Sequence, residues 1–157
     1  MDTDRIEKKT ILHAPLKRVW RALADSAEFG TWFGMKFEGP FVAGASVRGV
    51  VAPTTVDAEV AKSQKSHEGM PLEFIVERME PERLFSFRWR PVTDSATEPA
   101  TLVTFTLEES ADGVMLTVTE SGFDQIPLER RAKMFAANEQ GWSIQMRLIA
   151  TYLSHAQ

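Results

Sequence analysis

Cysteine is missing altogether from this chain of 157 residues. Its absence removes a disulfide framework, a thiol nucleophile and any thiolate metal site. A cysteine-free chain suits a reducing compartment, and the cytoplasm is the expected location. Histidine is scarce, at positions 13, 67 and 155 only. These fall at a strand end, in a polar stretch and at the chain terminus, without ligand spacing, so no metal site is expected. No phosphate loop, nucleophile elbow or nicotinamide fingerprint is present, and no cofactor is expected. Serines stand without a positioned base, which leaves them inert as nucleophiles. No apolar run reaches the length that crosses a bilayer, and the acidic start, Met1 to Arg5, lacks the apolar core of a signal peptide. Excess positive charge is lacking too: 18 basic against 22 acidic side chains give −4, the wrong balance for a nucleic-acid partner. Tyrosine occurs once, against ten phenylalanines and four tryptophans. The aromatic set is therefore almost wholly apolar, which suits a thick core or a greasy pocket.

What remains is a chain that is 43% hydrophobic and 25% charged, the balance of one soluble globular domain over 1–157. Chains of this size bury close to about 70% of their unfolded surface, so neither metal nor disulfide is needed to fold. The alternation of Ile6, Thr10 and Leu12 against Arg5, Glu7 and Lys9 reads as a half-solvated strand over 5–12. Pro15 then opens a short helix over about 15–25, with Leu16, Val19, Trp20 and Leu23 on its apolar face and Lys17, Arg18 and Arg21 facing water. Asp25 or Ser26 caps a second short helix, which Gly30 is expected to end. Glycines 39, 44 and 49 mark turns around a strand at 46–51. The polar stretch from Asp57 to Pro71 reads as a frayed strand and a long loop.

Strands follow at 72–79, 84–90, 101–108 and 114–120. The second alternates Phe85, Phe87 and Trp89 with Ser86, Arg88 and Arg90, so it lies over a core. A Pro/Ser/Thr loop from Pro91 to Ala100 links it to the third, and the Asp112-Gly113 pair joins the last two as a hairpin. Pro127 to Gln157 reads as one long amphipathic helix, striped by Phe135, Trp142, Met146, Ile149 and Leu153. Short links favour an antiparallel meander whose concave face is filled by that helix.

Residues at both ends of the chain resemble a known family. Ala14-Pro15, Val19-Trp20, Ala22-Leu23 and Trp32-Phe33 are similar to the opening of the activator-of-heat-shock-protein-90-ATPase-like proteins, within the START-like, or Bet v 1-like (SRPBCC), superfamily. Glu80 to Leu84 with Phe87 and Trp89 resembles its turn and strand, and Thr119 to Phe123 its link into the last helix. Gly141-Trp142, spaced to Met146, Ile149 and Tyr152-Leu153, resembles the helix signature. Asn138 stands where a histidine is frequent, so no role resting on that histidine carries over. The resemblance implies an α+β helix-grip fold, a curved antiparallel sheet wrapped around a long C-terminal helix, with two short helices after the first strand. It also implies a cavity between the sheet and that helix.

Glu120 is the one ionisable group that the strand pattern aims inward, sharing a face with Leu116 and Val118. Buried beside Asn138 or Trp142 it would anchor a ligand by hydrogen bonding or carry a proton. If the strand ends before it, it accepts from backbone amides near the helix start instead. Phe74, Phe87, Trp89 and Phe105, with Trp32, Phe33, Phe135 and Trp142, are either core filling or cavity walls. The expected function is non-catalytic binding of a small hydrophobic or aromatic molecule, a fatty acid or a flat ring. A co-chaperone-type module that stimulates a heat-shock ATPase is the alternative implied by the family. That co-chaperone carries a further amino-terminal domain, for which 157 residues leave no room. A cyclase- or hydratase-like enzyme is a second alternative, with Glu120 its only candidate acid or base.

Overall fold

A computed structural model describes residues 5–92 and 100–155. The acidic start, most of the Pro/Ser/Thr loop and the last two residues lie outside the described residues. In chain order the elements are β1 (Arg5–Leu12), α1 (Leu16–Ala24), α2 (Ser26–Phe33), β2 (Met35–Phe37), β3 (Ser46–Val51), α3 (Ala58–Lys65), β4 (Pro71–Glu80), β5 (Leu84–Pro91), β6 (Thr101–Ser110), β7 (Gly113–Ser121) and α4 (Leu128–His155). A single 3-10 turn, Phe123–Gln125, leads into α4.

Inward alternation along each strand and short links between them produce one antiparallel sheet, ordered β1-β7-β6-β5-β4-β3-β2. A register shift between Val76 and Arg78 bends β4 against β5. The sheet curves around α4, the helix-grip arrangement that the family resemblance implies. Arg88 and Arg90 lie on the opposite face, paired across strands with Glu77 and Glu73. Among the described residues no helix is long and apolar enough to cross a membrane.

α4 runs for 28 residues, about 42 Å at 1.5 Å per residue. Its two halves are buried unequally. Trp142, Met146, Leu148, Ile149 and Leu153 are buried, whereas no residue from Leu128 to Gly141 is. The carboxyl half is locked between the sheet and the short helices. The amino half lies against the open end of the sheet, where apolar area is left to cover.

The core is organised by α2. Asp25 caps it, its Oδ1 accepting from the backbone N–H of Ala27 and Glu28. Gly30 does not end this helix, contrary to the expectation from sequence. Gly34, at φ 96°, ends it four residues later, where a left-handed residue is required. The extra turn carries Trp32 and Phe33 inward and sets Phe29 at the centre of an aromatic cluster. Its ring lies within 4.8–6.3 Å of eight others, those of Trp32, Phe33, Phe37, Phe41, Phe74, Phe85, Phe87 and Phe105. Gly30 instead permits contact with β2: a Cβ there would meet Met35 O at 2.2 Å. Gly30→Ala is therefore expected to destabilise the fold by about 1–3 kcal/mol, overriding the gain of about 1 kcal/mol that alanine brings to a helix interior. Urea unfolding checks this. A midpoint unchanged or raised would mean that α2 and β2 do not approach so closely.

Two further expectations are corrected. The stretch after Asp57 is a helix, α3, rather than a frayed strand and loop. Asp57 Oδ1 accepts from Glu59 and Val60 N–H, and Gln64 ties the helix down, donating to Phe33 O and accepting from Thr54 N–H. No residue of α3 is buried, so it shows no apolar stripe by which to be found. Arg18 does not face water. Its side chain is only 15% exposed, 2.7 Å from Glu28 and 5.3 Å from the centre of the Tyr152 ring, and Tyr152 Oη also donates to Glu28. Burial works against the Arg18 charge, but Tyr152 and Glu28 outweigh it and hold the guanidinium above its ordinary pKa. Burial, followed by Glu28, raises the phenol of Tyr152. The cluster pins α1, α2 and α4 together.

Candidate functional site

β7 continues through residue 120, and the pleat sets Glu120 between Ile6 on β1 and Val103 on β6. Both neighbours are buried, and Glu120 is 0% exposed. A carboxyl group in such a row costs several kcal/mol unless its oxygens find donors. Here four side chains supply them. Trp142 Nε1 donates to Oε1 at 2.8 Å, Trp89 Nε1 to Oε2 at 2.8 Å, and Thr101 Oγ1 to Oε2 at 2.5 Å. The Asn138 amide straddles both oxygens at 3.1 and 3.2 Å. Trp89 Nε1 also reaches Thr101 Oγ1 at 2.9 Å.

The placement follows from two periodicities. Trp89 and Thr101 are paired across β5 and β6, one row from the Glu120 row on the same face. Asn138 and Trp142 are four residues apart on α4, so both look down on that row. The carboxyl group thus joins sheet and helix by polar contacts from both sides. Gln145, three residues beyond Trp142, donates from Nε2 to Phe33 O at 3.0 Å and so joins α4 to α2. Its Oε1 is buried and has no hydrogen-bond partner among the described residues.

Two spaces adjoin this centre. A cleft of about 190 Å³ opens between the ends of β5 and β6 and the amino half of α4. Its walls are the apolar Leu72, Pro91, Ile126 and Met134 with Trp89, its polar side chains are Thr101 and Asn138, and Arg90 borders its rim with its guanidinium turned to Glu73 on the opposite face. A smaller space of about 90 Å³ lies on the α2 side, between Phe33, Trp89, Trp142 and the Gly141 turn of α4, with Gln145 at its edge. Trp89 and Asn138 border both spaces. A roomier concavity, about 410 Å³, is elsewhere, on the outer side of α2 against β2 and Pro53. It contains none of the sequence candidates and no acceptor or donor centre like Glu120.

The structure divides the ten candidate residues. Glu120, Trp89, Asn138, Trp142 and Phe33 come together, with Phe33 5.8 Å from Trp89 and 5.9 Å from Trp142 between ring centres. Trp32, Phe74, Phe87 and Phe105 are fully buried in the cluster around Phe29. Phe135 packs on Phe123 at 5.2 Å. Thr101, Met134 and Gln145 were missed from sequence. Thr101 shares the parity of Val103 and Phe105, and Met134 and Gln145 lie at offsets of four and seven from Asn138, so the same periodicities pointed to them. Among the described residues no group of three or more histidines and carboxylates is placed to hold a metal. His13 is instead tied to a turn, its Nδ1 2.9 Å from Asp112 O.

A curved antiparallel sheet gripping a long final helix, with short helices closing one side and a polar centre beneath that helix, defines a START-like helix-grip protein. Within that class the family model described as "Activator of Hsp90 ATPase homolog 1-like protein" matches residues 13–154. The chain belongs to that family. A search of the curated proteins finds no match. Among solved structures, DynU16, a protein of the dynemicin biosynthetic locus, superposes with a TM-score of 0.70 at 26% identity over 97% of this chain. The chain spans about half of DynU16, 48% of its length. MLL2253 from Mesorhizobium loti superposes with a TM-score of 0.74 at 19% identity, covering 98% of each chain. The Aha1 dimer from Colwellia psychrerythraea superposes at 0.69 with 15% identity, covering 96% of each. The last two likenesses are of fold alone.

Proposed function

We propose that this protein binds a small hydrophobic or aromatic molecule in the cleft between the sheet and the amino half of α4, without chemistry of its own, in the cytoplasm that its cysteine-free sequence suits. The observation that carries this reading is an apolar cleft set against a fully buried, hydrogen-bonded carboxyl group. Sites for small ligands combine apolar walls with a few placed polar groups, and that combination occurs here. Size narrows the class. An apolar cavity of about 150 Å³ accepts benzene, so about 190 Å³ suits one ring or a short chain and leaves most of a long fatty acid outside.

The test is a titration of the four tryptophan indole N–H signals with single-ring and short-chain compounds. Saturable shifts of Trp89 and Trp142, with Trp20 and Trp32 unmoved, are expected. No saturable response across such a set would overturn the reading.

The family description favours a second reading, a module that stimulates a heat-shock ATPase. Adding the purified protein to a heat-shock chaperone separates the two, since the ligand reading predicts no acceleration of ATP hydrolysis.

A further inference from the structure

The polar groups around the cleft are lopsided in their unused capacity. Glu120 accepts from four donors, and the contacts are not equivalent. Trp142, Trp89 and Thr101 make contacts of 2.5–2.8 Å from buried or sheet-held positions. Asn138 makes the two longest, 3.1 and 3.2 Å, shares one amide between both oxygens, and stands on the half of α4 where nothing is buried. It is also one of the two side chains bordering both spaces. The second acceptor is Gln145 Oε1. The amide is oriented by its Nε2 contact to Phe33 O, which leaves a buried oxygen without a donor beside the smaller space. A buried acceptor left unpaired is costly, and native structures rarely tolerate one without a water or ligand to fill it.

Resting on the ligand-binding reading above, we propose that the site selects neutral flat rings that carry an N–H or O–H donor, of phenol or indole type, and that Asn138 is the group that yields to them. The Asn138 amide turns away from Glu120, and the ligand's donor takes its place on the carboxyl oxygens. The ring then occupies the apolar cleft between Trp89 and Met134. A second donor on the ligand, or a water it carries, reaches Gln145 Oε1 once the Asn138 side chain no longer separates the two spaces. Anionic ligands are disfavoured, because the deep end of the site offers them acceptors instead of donors. Arg90, at the rim of the cleft, sends its guanidinium to Glu73 on the opposite face of the sheet, at 3.0 Å.

The experiment compares affinities of matched probes for the purified full chain, read by the Trp89 and Trp142 indole signals: phenol against toluene, indole against benzofuran, and benzoate. Phenol and indole are expected to bind at least about tenfold more tightly than their donor-free partners, the penalty of leaving a polar site unpaired. Benzoate is expected to be the weakest. Asn138→Ala, which removes the competing amide, should tighten phenol several-fold and leave toluene within about twofold, once circular dichroism shows it folded. Equal affinity for phenol and toluene would overturn the donor rule while leaving the cleft as a ligand site. Tightest binding by benzoate would overturn it in favour of an anion site. No binding by any probe would overturn both the rule and the reading beneath it. The wild-type comparison stands even if Asn138→Ala does not fold.

Discussion

Glu120→Leu is expected to lower the stability of this protein by at least about 3 kcal/mol, whereas Glu120→Gln should cost about 1–2 kcal/mol. The asymmetry comes from the donors. Leucine leaves the buried Trp142 indole and Thr101 hydroxyl without their acceptor, and the half-buried Asn138 amide loses its two contacts as well. Each such loss costs about 1–3 kcal/mol. Filling the same volume with an aliphatic side chain does not help, because the partners that need an acceptor remain. Glutamine keeps an oxygen for Trp142 and Asn138. Its amide nitrogen, placed at the Oε2 position, donates to Thr101 Oγ1, which already receives Trp89 Nε1 at 2.9 Å. Trp142, Trp89 and Asn138 thus retain an acceptor; what is lost is the acceptor of the rotatable Thr101 hydroxyl, and the glutamine NH2 is left facing the Trp89 N–H, donor against donor. At about 2–4 °C per kcal/mol for a domain of this size, the leucine variant should melt at least about 6 °C below the wild type and the glutamine variant above the leucine variant, about 2–8 °C below the wild type. Thermal unfolding followed by circular dichroism checks both. Equal melting points for the two variants would show that the four contacts do not hold sheet to helix.

Phe29→Ala should cost still more, about 3–5 kcal/mol, the range for truncating a fully buried aromatic side chain. Phe29 is 0% exposed and touches rings contributed by α2, β2, β4, β5, β6 and the segment before β3. Neighbours on so many elements cannot all move in to fill the gap, so the cavity persists. Against a usual total of about 5–15 kcal/mol, a loss of this size takes a large share of the fold's margin. Guanidinium unfolding measures it, and Phe29→Leu should recover most of the loss. A cost below about 1 kcal/mol for the alanine variant would mean that α2 does not carry the centre of the core.

Much of the architecture was legible because it rests on period. The rows Phe85-Phe87-Trp89, Val103-Phe105-Leu107 and Leu116-Val118-Glu120 each lie on the concave face as their alternation requires, and the stripe of α4 is buried from Trp142 onward. The misses share a different origin. α3 is held by a cap and by Gln64 rather than by an apolar face, so no hydrophobic period marks it. α2 outruns Gly30 because that glycine serves a close backbone approach, a tertiary fact invisible in the local sequence. Arg18 looked solvated because helix position alone does not show that Tyr152, 134 residues later in the chain, will cover it. Glu120 was legible as an inward residue. That its acceptors would be filled by two indoles, a threonine and an asparagine drawn from three different elements was not, because those positions meet only once the sheet has curled.

The central claim is that the space beside Glu120 receives a ring. A crystal structure of the protein soaked with phenol tests it most directly. The account predicts density for the ring between Trp89 and Met134, its hydroxyl within hydrogen-bonding distance of a Glu120 oxygen and the Asn138 amide turned aside. Phenol found only in the groove between α2 and β2, or an unaltered Asn138–Glu120 contact with the cleft free of ligand at saturating concentration, would contradict it.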